Sequence, residues 1–149
     1  MKKLFKSLLI TLCILFSNVS VYAYTIPKIS PEIIYQDDGS YFITEIVYSP
    51  ISTYSSTISG TKHSSYYNSS GKLLWKLSVT ASFSFNGSSS TCTSSQCSVS
   101  NIASNWNVVS KSANKSKNTA STSVTMHQSG GGNVSRTVKL SCSASGNLS

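Results

Sequence analysis

From Leu73 to Phe85 every second residue is apolar: Leu73, Trp75, Leu77, Val79, Ala81, Phe83 and Phe85 alternate with Leu74, Lys76, Ser78, Thr80, Ser82 and Ser84. A period of two is the period of a strand, so this run predicts one apolar face and one mostly wet face. At roughly 3.3 Å per residue it would extend for about 40 Å, too long for one straight strand in a small domain. A bend or bulge is therefore expected near Thr80 and Ala81.

The same period recurs along the chain with turn residues between the runs. "DDGS" at 37–40 reads as a turn and "YFITEIVYS" after it as a strand, by its β-branched and aromatic content. Pro50 interrupts the chain before "ISTYSSTISG", a weaker strand, and "TKHSSYY" with the turn "NSSGK" leads into the long run. "NGSSS" is a turn, Thr91 to Val99 a short strand or hairpin, and "NWNVVSKSA" a strand centred on Trp106 and Val108. In "TASTSVTMH" the inward set is Ala120, Thr122, Val124 and Met126, and in "NVSRTVKLSC" it is Val134, Val138, Leu140 and Cys142. "QSGGGN" between them suits a hairpin, because glycine takes positive φ without steric cost. With no lysine–serine or lysine–threonine pair after it, the glycine run is not a phosphate loop. The pattern predicts an all-β fold, an antiparallel β-sandwich of seven to eight strands.

The first residues follow a different logic. "MKKLFKSLLITLCILFSNVSVYA" places Lys2, Lys3 and Lys6 before an apolar run and ends on Val-Tyr-Ala, so residues 1–23 read as a signal peptide cleaved after Ala23. The apolar run is about half of the roughly 20 residues a membrane span needs, so stable membrane insertion after cleavage is not expected. Cys13 follows Leu12, where a lipoprotein signal would place a small residue. Residues 24–39, with Pro27 and Pro31, read as a lead-in segment or edge strand, and residues 40–149 as the sandwich domain.

Serine makes up about a quarter of the chain, but the β-branched and aromatic residues that alternate with it argue for folded strands rather than disorder. Charge is segregated. The four acids, Glu32, Asp37, Asp38 and Glu45, precede residue 46, and eight cations follow with no carboxylate among them. A basic body favours an anionic partner, and its candidate contacts are Lys111, Lys115, Lys117, Arg136 and Lys139. Nucleic acid is not the expected partner, because Trp75, Phe83 and Phe85 in the basic part lie on the buried parity, leaving no exposed aromatics interleaved with the cations.

Cys92, Trp106 and Cys142 fall in an order that resembles the Cys…Trp…Cys pattern of immunoglobulin domains, implying an immunoglobulin-like sandwich whose tryptophan packs on an inter-sheet disulfide. Leu140 stands where those domains carry tyrosine, and the few residues after Cys142 leave the final edge to another segment, with Ser40 to Ser49 the candidate. A Cys92–Cys142 disulfide would close a loop of about 50 residues and stabilise by roughly 4 kcal/mol, against about 2 kcal/mol for a Cys92–Cys97 hairpin loop. The first pairing leaves Cys97 as the free thiol and the second leaves Cys142. More broadly, "DDGSY", "YYNSSGKLLWKLSVT", "FNGSSSTCTSS", "NWNVVSKSA" and "LSCSASGNLS" resemble a group of small exported serine-rich proteins of gut Firmicutes with no assigned activity. That resemblance implies secretion, a β-fold and paired cysteines at positions 92 and 142.

Catalytic patterns are sparse. The acids crowd around one turn, where Asp37 and Glu45 form the one conceivable dyad. His63 and His127 have no G-x-S-x-G elbow to serve and no metal-ligand spacing with the cysteines. No catalytic set, metal site or cofactor is expected. Tyrosines 35, 41, 48, 54, 66 and 67 offer stacking surfaces or partly buried strand aromatics. The sequence thus predicts a secreted, non-enzymatic binding protein at or outside the cell envelope, with an anionic wall polymer or surface as partner. A cationic antimicrobial or toxin-like protein and a hydrolase using residues 37–45 are the alternatives.

Overall fold

The computed structural model describes residues 30–49 and 56–149. The expected signal peptide, the first part of the lead-in (24–29) and the start of the "ISTYSSTISG" run lie outside the described residues. Eight strands form: β1 (Glu32–Tyr35), β2 (Tyr41–Tyr48), β3 (Thr57–Tyr67), β4 (Leu73–Phe85), β5 (Ser90–Ser100), β6 (Trp106–Ser116), β7 (Thr119–Gln128) and β8 (Asn133–Ser141). They make a five-stranded sheet, β1-β2-β3-β4-β5, and a three-stranded sheet, β6-β7-β8, antiparallel throughout.

The two sheets meet on the faces the alternation set apart. Trp75, Leu77, Val79, Ala81 and Phe83 of β4 are buried against Ala120, Val124 and Met126 of β7 and Val138 and Leu140 of β8, in one continuous core. At one end Phe42, Tyr66, Trp75 and Trp106 form an aromatic cluster, with Tyr66 and Trp106 edge-on at 5.7 Å between ring centroids. β4 is a single long strand. Its register with β5 slips between Ser82 and Phe83, one or two residues past the expected bend at Thr80 and Ala81. A bulge there lets a long strand curl with the sheet's twist rather than outrun the core.

The likeness to an immunoglobulin domain is one of architecture and not of connectivity. Neighbours in each sheet follow chain order, whereas immunoglobulin sheets interleave their strands. β2 lies between β1 and β3, so the Ser40 to Ser49 segment does not pair with β8 as its final edge strand. After β8 the chain turns back through a Cys142–Leu148 bridge, and Leu148 enters the core beside Gly60, where any side chain would collide with it. Trp106 pairs with Gln128 while Ser141 pairs with Thr119, so Trp106 and Cys142 stand at opposite ends of the small sheet, roughly 30 Å apart. The tryptophan does not pack on the cysteines.

Five strands facing three leaves an overhang. On the β5–β6 side the sheets close on each other: the Cys92 amide donates to the Lys117 carbonyl at 2.7 Å and Lys115 Nζ to the Thr93 carbonyl at 2.6 Å. On the other side the inward faces of β1 and β2 extend past β8, and a groove opens between them.

Candidate functional site

The groove is built from one row of the large sheet and one residue of β8. Glu32, Thr44 and Ser64 are register partners across β1, β2 and β3, so their side chains share the inward face. Lys62 follows on that face, two residues from Ser64. Thr44 and Ser64 are buried polar residues, their hydroxyl oxygens 3.2 Å apart. Arg136 reaches them from β8: Nε donates to Ser64 Oγ at 3.0 Å, Nη2 donates to Thr44 Oγ1 at 3.1 Å, and Cζ lies 4.7 Å from the centre of the Phe42 ring.

This seating leaves a charge without a counter-charge. Two neutral hydroxyls take one edge of the guanidinium, and the ring face below supplies a weak attraction. No carboxylate among the described residues makes an ion pair with Arg136; Glu32 is near enough to favour its charge but not to bond it. Burial works in the opposite direction and pulls the Arg136 pKa down. The remaining donors border a cavity of about 500 Å³ lined by Glu32, Thr44, Lys62, Arg136, Thr137 and Lys139. Three cations and one acid border it, with the two hydroxyls of Thr44 and Ser64 at its floor.

The five cations expected to act together are divided by the small sheet. Lys111 and Arg136 flank Val124 in one register row, on opposite edge strands. Lys115 is held to the Thr93 carbonyl, and Lys117 sits in the β6–β7 turn with φ of 52°. Lys139 pairs with Ser121, on the face opposite to Arg136, and still borders the groove. Arg136 and Lys139 therefore meet at one site, and the three lysines lie along the other side.

Thr44, Ser64, Lys62 and Glu32 were not identified from sequence. A signal for them existed. Arg136 shares the parity of Val134, Val138 and Leu140, and a cation on a buried parity requires polar partners from the facing sheet.

The other candidates are placed as follows. Cys92, Cys97 and Cys142 are free thiols, and the expected Cys92–Cys142 disulfide is not formed: Cys92 Sγ donates to the Ser94 carbonyl and Cys142 Sγ to the Ser143 carbonyl. Burial raises the pKa of all three. The rival Cys92–Cys97 loop is excluded by β5, which is one continuous strand. Five residues of strand separate those α-carbons by about 16 Å, beyond the ~7 Å a disulfide spans. His63 Nδ1 lies 2.7 Å from Ser78 Oγ, and His127 Nδ1 lies 2.8 Å from Asn133 Oδ1. Asp38 Oδ1 accepts from the Ser40 amide and hydroxyl, which lowers its pKa, the usual work of a turn aspartate. Glu45 lies about 13 Å along β2 from Tyr41, with the Asp37 turn beyond, so the two carboxylates do not flank one bond. Among the described residues no cluster of three histidines, cysteines or acids is placed to hold a metal ion.

No protein-family model matches the chain, and neither the curated proteins nor the solved structures give a match.

Proposed function

We propose that the protein is a non-enzymatic binding protein, exported from a Gram-positive cell, that attaches to an anionic polymer of the cell envelope through the groove between β8 and β1–β3. The observation that carries this reading is Arg136: a half-buried guanidinium fixed by Thr44, Ser64 and Phe42 without an ion-pair partner among the described residues. Lys62 and Lys139 at the rim supply attraction at longer range. Within the groove three cations outnumber the one carboxylate, Glu32, so the local charge favours a polyanion.

Co-sedimentation with isolated cell walls tests it. Wild-type protein pellets with walls at low salt and is released as ionic strength rises, since attraction across the rim acts over about a Debye length, roughly 8 Å at physiological salt. Arg136→Gln pellets poorly at every salt concentration, and a triple Lys111, Lys115, Lys117 to Ser variant loses much less. Equal loss in the two variants, or binding indifferent to salt, rejects the groove.

Under oxidising export the Cys92–Cys142 pair is proposed to close. Both residues are in the core, and their amides donate to the successive carbonyls of Lys117 and Asn118, at 2.7 and 3.0 Å. Peptide mapping without reduction should recover the 92–142 cross-link; a dimer linked through Cys97, or three alkylated cysteines, contradicts it.

A further inference from the structure

We infer that the end of the sandwich where four chain reversals meet carries a second site, a pocket for a neutral saccharide unit. The β1–β2 turn contributes Asp38, the β3–β4 turn Asn68 and Lys72, the β5–β6 connection Asn105, and the end of β7 Gln128. They surround a cavity of about 330 Å³ with Tyr66 and Trp106 among its walls, at the lower end of the range of small-molecule sites.

The walls are braced by hydrogen bonds before any ligand arrives. The Gln36 amide donates to the Ser40 carbonyl at 2.8 Å and the Asn68 amide to the Lys72 carbonyl at 3.1 Å, while Asn68 Oδ1 accepts from the Lys72 amide at 2.8 Å. The Ser129 amide donates to the Asn105 carbonyl at 2.8 Å, which ties the third reversal to the fourth. Tyr66 donates from its buried hydroxyl to Ser40 Oγ at 2.8 Å, and Ser40 donates to Asp38 Oδ1, so the carboxylate is oriented from the core outward.

What this frame presents is chemically mixed. Asn68 Nδ2, the Asn105 and Gln128 amides, Lys72 Nζ and the second oxygen of Asp38 make no hydrogen bond with another described residue. Amides both donate and accept, Asp38 accepts, Lys72 donates, and the two charges cancel. A neutral molecule with adjacent hydroxyls satisfies such a ring, because each hydroxyl gives one hydrogen bond and takes others. A polyanion does not, since it would meet Asp38. The site is therefore independent of the Arg136 groove.

The test uses the full mature chain and ligand-observed saturation-transfer NMR with glucose, galactose and N-acetylglucosamine at millimolar concentration, with glycine as a zwitterionic control. At least one sugar should show saturable transfer, weakened tenfold or more in Asn105→Ala/Gln128→Ala, whose melting temperature should match wild type because neither side chain hydrogen-bonds to another described residue. Lys72→Ala, a single exposed change, gives the same weakening should the double variant melt early. Arg136→Gln should retain the signal, separating this pocket from the groove. Absence of transfer from every sugar, transfer unaffected by the pocket variants, or equal transfer from glycine overturns the proposal.

Discussion

Arg136 takes an inward-facing, half-buried position on β8 and gives up solvation there without an ion-pair partner among the described residues, which costs stability and is the basis of the proposed binding role. Removing the charge while keeping the volume should leave the fold intact, since Thr44 and Ser64 remain 3.2 Å apart and bond to each other. Arg136→Met is expected to change unfolding free energy by no more than about 1 kcal/mol in either direction. Its binding to walls should fall roughly tenfold to a hundredfold, the ~1.5–3 kcal/mol of a hydrogen bond to a charged group. Denaturant unfolding beside sedimentation measures both, and a variant that loses stability and binding together would make Arg136 structural. Two glycines form a second contrast. Gly87 and Gly146 both have positive φ, of 84° and 85°, but a Cβ on Gly87 meets nothing within 4 Å while one on Gly146 lies 2.7 Å from the Phe85 ring. Gly87→Ala should cost about 1 kcal/mol of backbone strain, and Gly146→Ala about 2–4 kcal/mol, because overpacking against Phe85 adds to it. Equal costs would show that the closing turn yields without resistance.

Among the elements, those with one dry face were legible with their buried sets, while β6 was legible as a strand and β5 only as a strand or hairpin. β4, β7 and β8 announce themselves by alternation, and their buried sets are Trp75 to Phe83, Ala120 to Met126, and Val138 with Leu140, as the pattern requires. β5 and β6 carry small polar residues on both faces, so period two gives little contrast there. β5 emerges as one strand rather than a hairpin because pairing with β4 supplies its ladder, which its side chains do not advertise. The sheet order was illegible for the same reason: local pattern specifies strands, and the Cys…Trp…Cys spacing suggested a connectivity that the chain-order meander does not follow. Of the groove only the β8 side, Arg136 and Lys139, was legible; Thr44 and Ser64 look like any other polar strand positions until β8 is laid across them. On β3, His63 gives an element-level prediction. Burial, then Lys76, holds its pKa below 6.5, with Glu45 opposing. The folded state thus binds fewer protons than the unfolded one below pH 6.5, so His63 contributes stability at higher pH that is lost as pH falls from 6.5 toward its folded pKa. Stability profiles should show this decline in wild type and a flatter course in His63→Asn; a wild-type protein that gains stability over that interval contradicts the direction.

For the whole molecule, the mismatch of five strands against three links the fold to the proposed function. A small sheet as wide as the large one would bury the row from Glu32 to Ser64, and Arg136 would have no cavity to border. The overhang instead leaves a basic groove on one side, while the side closed by Cys92 and Lys117 carries Lys111, Lys115 and Lys117. The most direct measurement of the central claim is a two-dimensional NMR titration of the mature protein with polyphosphate, following backbone amides and the arginine Nε–H signals. Shifts should concentrate at Arg136, Thr44, Ser64 and Lys62, saturate with added polyanion, and shrink as salt is raised. Shifts confined to Lys111, Lys115 and Lys117, or an Arg136 Nε–H signal that does not move at saturation, would contradict the assignment of the groove as the anion site.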